Sequence, residues 1–187
     1  MTRVVAGDLG GRRLTVPAGR GTRPTSERVR EGLFSTLVAM RGSLAGTAFL
    51  DLYAGSGAVG IEAASRGAAR VTCVERDPRA LAVLRSNVAA LAPDVVEVTA
   101  TPVERLLRSP ASQPWDVVFL DPPYSDPVKE VLTLLATEDW LAPSAVLVVE
   151  RSARDAEPEW PDGVESDRSR RYGDTVLRYG LWYGRRP

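Results

Sequence analysis

The sequence has no histidine and only one cysteine, Cys73, among its 187 residues. The first absence excludes Ser-His-Asp and Cys-His catalysis. It also argues against a zinc or non-haem iron centre, so no metal is expected. The single cysteine excludes an internal disulfide and a zinc cage built from thiolates. Lysine is almost missing as well: Lys129 stands alone among 24 basic residues, the rest being arginine. No apolar stretch approaches the roughly 20 residues that a membrane helix needs. The opening Met1–Gly7 has no apolar core of the signal-peptide kind, so a cytoplasmic protein is expected. Chemistry is left to carboxylates, backbone groups, aromatic rings and a bound reagent.

A hydrophobic fraction of 44% and a charged fraction of 26% suit a globular chain that builds a full core. The net charge is zero but unevenly spread. Residues 1–46 carry Arg3, Arg12, Arg13, Arg20, Arg23, Arg28, Arg30 and Arg41 against Asp8, Glu27 and Glu31. Residues 164–187 carry Arg168, Arg170, Arg171, Arg178, Arg185 and Arg186 against Glu165, Asp167 and Asp174. The middle is acidic. Two basic ends around an acidic centre suit a polyanion held at the margins of a catalytic body; a merely solvated arginine-rich surface is the plainer reading.

Residues 3–17 read as a hairpin whose second strand ends at Pro17, followed by the loop "AGRGTRPT". Thr25 or Ser26 can cap a helix through "SERVREGLFSTLVAM", with Val29, Leu33, Leu37 and Met40 as its apolar stripe. From residue 48 strand and helix alternate. Strand-like runs at 48–53, 70–75, 94–99, 115–120 and 144–150 are separated by helical patterns near 58–66, 78–91, 102–108 and 127–137. Such runs imply a mostly parallel sheet covered on both faces. Two further strands around Gly173-Asp174 are expected to pair antiparallel at one edge. The division expected is an RNA-contacting extension over 1–46 and a catalytic domain over 47–187.

Three motifs carry chemistry. In "FLDLYAGSGAVGIEA" a strand ends at Asp51-Leu52-Tyr53 and a Gly55-Ser56-Gly57 turn opens a helix. Glycines there allow a ligand close to the backbone, and a helix N-terminus favours polar or anionic groups. Glu75 ends the next strand, 18 residues after Gly57, and can accept both hydroxyls of a ribose. Asp77-Pro78 behind it reads as a helix cap and first helical residue. In "FLDPPYSD" an apolar run stops abruptly at Asp121-Pro122-Pro123-Tyr124, giving a carboxylate, a carbonyl outside any helix and an aromatic ring. In an open parallel sheet these sites share one edge, so Asp51, Gly55, Glu75 and Asp121 are expected to meet in one crevice.

"DLYAGSGAVG", "VTCVERD" and "DPPY" resemble motifs of class I S-adenosylmethionine-dependent methyltransferases that modify exocyclic amino groups. "RVVAGDLGGRRLTVP", "RPTSERVREGLFSTL" and "DLYAGSGAVGIEAASRGA" more specifically resemble the RsmD family, which methylates guanine N2 in small-subunit ribosomal RNA. The resemblance runs from Arg3 to about Tyr183 and implies a Rossmann-like seven-stranded fold preceded by a hairpin and helix. It implies S-adenosyl-L-methionine as cofactor, held by Asp51, Tyr53, Gly55, Ser56, Gly57, Glu75, Arg76 and Asp121. It implies Asp121, Pro122 and Tyr124 as catalytic residues, with Asp121 and the Pro122 carbonyl accepting the two N–H bonds of the amine and Tyr124 stacking on the base. Arg12, Arg13, Arg23, Arg28 and Arg30 would contact RNA, free or within the ribosomal subunit, and the enzyme would be a monomer. The chain departs from the class at 99–103, "TATPV", where many members carry an acidic or amide residue toward the adenine. A DNA methyltransferase acting on adenine N6 or cytosine N4 would share the Asp121 motif but usually has an added recognition domain. A nucleotide-binding module without catalysis would not need it. Glutamine methyltransferases resemble Asn-Pro-Pro-Tyr instead.

Overall fold

The computed structural model of the chain describes residues 2–17, 26–123 and 128–184. A two-stranded ribbon, β1 (Thr2–Arg3) and β2 (Arg13–Leu14), leads into helix α1 (Glu27–Arg41). Alternation then follows: β3 (Ala48–Leu52), α2 (Ala58–Ser65), β4 (Arg70–Glu75), α3 (Pro78–Leu91), β5 (Val96–Ala100), α4 (Val103–Leu107), β6 (Trp115–Leu120), α5 (Val128–Thr137) and β7 (Leu141–Ser152). The hairpin β8 (Val164–Tyr172) and β9 (Thr175–Trp182) closes the chain.

The sheet has seven strands in the order β5-β4-β3-β6-β7-β9-β8. The first five are parallel, and β9 runs antiparallel to both of its neighbours. The reversed strand is thus one place in from the edge, and β8 forms the edge itself. From β3 the chain steps outward through β4 to β5, then returns to lay β6 on the other side of β3. That reversal opens a crevice beyond the carboxyl ends of β3 and β6.

Side-chain alternation divides the interior into two layers. Phe49, Val117, Phe119, Val146 and Val148 face α1, α2 and α3, while Leu50, Leu52, Val118, Leu120, Leu147 and Val149 face α4 and α5. The N-terminal segment joins the first layer: Val4, Leu14, Val29, Leu33, Phe34 and Leu37 pack there with Leu177 and Tyr179 from β9. Helix α1 starts where Ser26 accepts the Val29 amide at 3.3 Å and stops at Gly42, at φ 80. The loop 18–25, with Arg20 and Arg23, lies outside the described residues.

The ribbon is shorter than the sequence pattern suggests: Val4 still donates to the Arg12 carbonyl at 2.9 Å, but from Val5 onward the amides bind a different partner. Val5 and Ala6 donate to the two oxygens of Glu62 at 2.7 and 3.0 Å, and Leu9 donates to the Ser65 hydroxyl at 2.9 Å. The segment leaves the strand ladder and docks on α2.

Candidate active site

The site is built where β3, β4 and β6 end side by side. After β3, Tyr53 turns into the left-handed region at φ 64, rare for an aromatic residue. Its hydroxyl donates to Glu104 at 2.9 Å. The chain then runs through Gly55 and Gly57 into α2. At Gly57 the backbone has φ 79, which favours glycine, and a β-carbon would lie 2.3 Å from the Leu84 methyl, so a side chain there would also displace Leu84. At Gly60 a β-carbon would lie 2.3 Å from the Cys73 sulfur, which is how α2 sits so close to the sheet. A β-carbon on Gly55 would meet nothing within 4 Å among the described residues; its outer side faces the crevice.

Asp51 lies on the sheet face covered by α2, almost wholly buried, and accepts the Gly60 amide at 2.9 Å. Burial pushes its carboxyl up to about 8, against that hydrogen bond, with the charges of Asp121 and Glu75 adding to the rise. It therefore forms the floor under the turn rather than an open wall. Ser56 is also buried, and its carbonyl accepts the Asn87 side-chain amide at 2.9 Å.

Glu75 has a structural duty that its sequence position does not reveal. One oxygen accepts the Gly55 amide at 2.8 Å; the other accepts the Arg76 and Asp77 amides at 2.7 and 2.8 Å. The carboxylate thereby ties the glycine turn to the start of α3. Arg76 is exposed beside it. Asp77 caps α3 as expected, accepting from Arg79 at 3.0 Å and Ala80 at 2.8 Å.

Asp121 follows β6 directly, and its amide donates to the Leu52 carbonyl at 3.4 Å, extending the β3–β6 pairing. Burial pushes its carboxyl from 3.8 up to about 7, with the Arg151 guanidinium pulling it back down. The carbonyls of Pro122 and Pro123 accept from Arg151 at 3.3 and 3.2 Å, so the Pro122 oxygen already has one partner. Tyr124 lies outside the described residues.

Among the arginines expected on RNA, Arg12, Arg13 and Arg28 are exposed and Arg23 lies outside the described residues. Arg30 is a correction. It is fully buried, donates to the Arg3 carbonyl at 2.6 Å and the Thr2 hydroxyl at 3.0 Å, and fastens β1 to α1. A guanidinium enclosed by its own chain cannot reach a phosphate.

The family model described as Conserved hypothetical protein 95 matches residues 2–181. The Ribosomal RNA small subunit methyltransferase D of Escherichia coli K12 is 34% identical over 177 residues, covering 94% of this chain and 87% of that one. Its namesake in Haemophilus influenzae is 38% identical over 152 residues, covering 79% and 77%. The solved structure of yhhF from Escherichia coli superposes with a TM-score of 0.87 at 32% identity, covering 98% of this chain and 99% of that one. The chain belongs to the RsmD family. It is a methyltransferase.

Several residues of this RsmD-family crevice escape a reading of the sequence. Arg151 lies 29 residues beyond the proline carbonyl it holds. Glu104 stands just after "TATPV", and only its bond to Tyr53 brings a carboxylate to that side of the crevice. Asn87 donates to the carbonyls of Thr15 and Ser56, both at 2.9 Å, and joins the N-terminal segment to the glycine turn. Its place on the inner stripe of α3 was the one available signal, since a buried amide needs partners. Among the described residues no cluster of acidic or cysteine side chains could hold a metal ion, and no helix is long and apolar enough to cross a membrane.

Proposed function

We propose that this chain transfers a methyl group from S-adenosyl-L-methionine to the exocyclic N2 amine of a guanine in small-subunit ribosomal RNA. The observation that carries the reading is the convergence at one strand edge of the open Gly55 turn, Glu75 and the Asp121-Pro122-Pro123 turn. The relatives named ribosomal RNA small subunit methyltransferases supply the nucleic acid.

The residues fit the cofactor. Gly55 leaves room for close approach of a ligand to the backbone, and Glu75, with three of its about four acceptor sites taken, keeps one on the oxygen facing Gly55 for a ribose hydroxyl. Gly55, Ser56, Gly57, Glu75 and Arg76 would hold the nucleoside part, with Tyr53 at the rim and Asp51 fixing the turn from below. When bound, S-adenosylmethionine supplies an electrophilic methyl on a cationic sulfur, and the carboxylates of Glu75 and Asp121 suit that charge. A guanine amine is a weak nucleophile because its lone pair is delocalised into the ring. Asp121 accepts one of its N–H bonds, and the second lone pair of the Pro122 carbonyl accepts the other. Held so, the nitrogen turns its lone pair outward along one direction. Tyr124 stacks on the extruded base.

Tritium transfer from labelled S-adenosylmethionine to naked small-subunit RNA, to small subunits and to duplex DNA, followed by nucleoside analysis, tests the reading. N2-methylguanosine is the expected product. Methylated adenine or cytosine in DNA, with none in RNA, would replace it with the DNA methyltransferase alternative.

Two further outcomes test the parts. Glu75→Ala should weaken binding of S-adenosylhomocysteine by about 1–3 kcal/mol, the usual loss for hydrogen bonds to a charged group. The same substitution frees three backbone amides, so the unfolding midpoint should fall with it. Calorimetry and thermal denaturation measure both, and an unchanged dissociation constant would put the ribose elsewhere. Replacing Arg12 and Arg13 with alanine should weaken RNA binding and flatten its dependence on log salt by about 0.7–0.9 per lost phosphate contact. Cofactor affinity should stay the same, since Arg13 opens β2 and Arg12 directly precedes it, away from the glycine turn. Equal slopes in wild type and double mutant would assign the RNA contacts to other residues.

A further inference from the structure

We propose that Arg151 is a positioning residue for Asp121: wedged between Asp155 and the carbonyls of Pro122 and Pro123, its guanidinium fixes the turn that aims the carboxylate. This role rests on the methyl-transfer reading of the same site.

The strand register brings the two together. In the parallel β6–β7 pair Leu120 lies opposite Val149, so continuing both chains by two residues sets Pro122 beside Arg151. The side chain is only 14% exposed. Its Nε donates to Asp155 at 3.0 Å, and its Nη1 is shared between the two proline carbonyls at 3.3 and 3.2 Å. Asp155 is itself held: its amide donates to the Ser152 carbonyl at 3.0 Å, and its own carbonyl accepts from Arg178. A rigid planar fork therefore stands on a fixed base and reaches two oxygens of the motif at once.

The prolines make this contact matter. Neither residue has an amide of its own, so the turn cannot be stapled by donating backbone hydrogen bonds. Their carbonyls are the handles left, and Arg151 takes both. Its charge acts on Asp121 as well. Among the described residues the charged groups coupled to that carboxyl are Arg151 at the end of β7 and Asp51 on β3; Asp51 is also coupled to Glu75 at the end of β4. Arg151 is the cation among them, and it opposes the burial that favours protonation.

Arg151→Met removes the charge and the fork while keeping an unbranched apolar stem; Arg151→Lys keeps the charge but not the fork. The test compares both variants with wild type by kinetics against pH, by S-adenosylhomocysteine calorimetry and by carbon-13 titration of the Asp121 carboxyl, assigned with Asp121→Asn. In Arg151→Met, kcat should fall by about tenfold to a hundredfold, the usual penalty for a displaced reacting group. The KM for RNA and the cofactor dissociation constant should stay within about threefold, a small change on the affinity scale. The Asp121 titration, and with it the rising limb of kcat/KM, should move up by about half a unit or more as the cation is lost. Arg151→Lys should leave the titration at the wild-type position yet remain slower than wild type. An Asp121 titration identical in Arg151→Met and wild type would overturn the electrostatic part. Should Arg151→Met fail to fold, full activity in Arg151→Lys would overturn the positioning part. Absence of methyl transfer by the wild type would remove the functional reading, and the carboxyl titration, which needs no substrate, would still decide whether Arg151 governs Asp121.

Discussion

Asp121→Ala is expected to slow methyl transfer by about 100- to 10,000-fold, the range spanned by groups that orient and accept a proton in the transition state. S-adenosylhomocysteine should bind within about tenfold of wild type, about 1.4 kcal/mol. The separation follows from the geometry: the glycine turn and the start of α2 are held by Glu75, Asp51 and Asn87, through the Gly55 amide, the Gly60 amide and the Ser56 carbonyl, and not by Asp121. Loss of fold would not explain the inactivity. Asp121 is pushed from 3.8 up to about 7 in the folded protein, so the native state holds its proton more tightly than the unfolded chain. Stability therefore declines as pH rises through that interval, and at pH 8 the wild type bears the full cost of a buried anion. Asp121→Asn cannot ionise and should be at least as stable as wild type at pH 8, yet poorly active. If Asp121 acts as proposed, kcat/KM of the wild type should rise with pH through about 7, because the anion is the better acceptor of the amine N–H. Activity assays beside thermal denaturation at pH 5.5 and 8 check all of this. Substantial turnover by Asp121→Ala would remove Asp121 from the reaction.

Glu62→Ala should cost about 3–5 kcal/mol of stability, as removal of one member of a buried ion pair does. For a chain of this length that is a fall of roughly 6–20 °C in the unfolding midpoint. Glu62 is wholly buried on α2 and receives three donors: the amides of Val5 and Ala6 and, at 2.9 Å, the Arg66 Nε. Its loss leaves two backbone amides without partners and unfastens the segment that carries Arg12 and Arg13. RNA affinity should fall together with the melting temperature, whereas the Arg12 and Arg13 alanine pair should lower RNA affinity alone. Calorimetric unfolding and a salt-dependent RNA titration separate the two. A midpoint within about a degree of wild type would mean that Ser65 and Arg30 hold the segment without Glu62.

These expectations draw on two kinds of information. The order of elements, the glycine turn, the Asp77 cap and the edge position of Asp121 follow from the sequence alone, because each is encoded locally. A strand buried on both faces is a continuous apolar run. A helix announces its start with a side chain that can accept amides. A pair of prolines ends a strand wherever it stands. Alternating strands and helices then imply a parallel sheet, and such a sheet gathers its strand ends on one side. Tertiary structure decided where the long polar side chains point. Arg30 reads like any other arginine of a basic segment, yet it turns inward to Thr2 and Arg3, 28 and 27 residues away. Glu62 meets its amide partners 57 and 56 residues back along the chain. Arg151 reaches the proline carbonyls only because β7 lies in register beside β6. A flexible charged side chain carries no periodicity that reveals its partner, and its burial depends on donors and acceptors brought together by the fold.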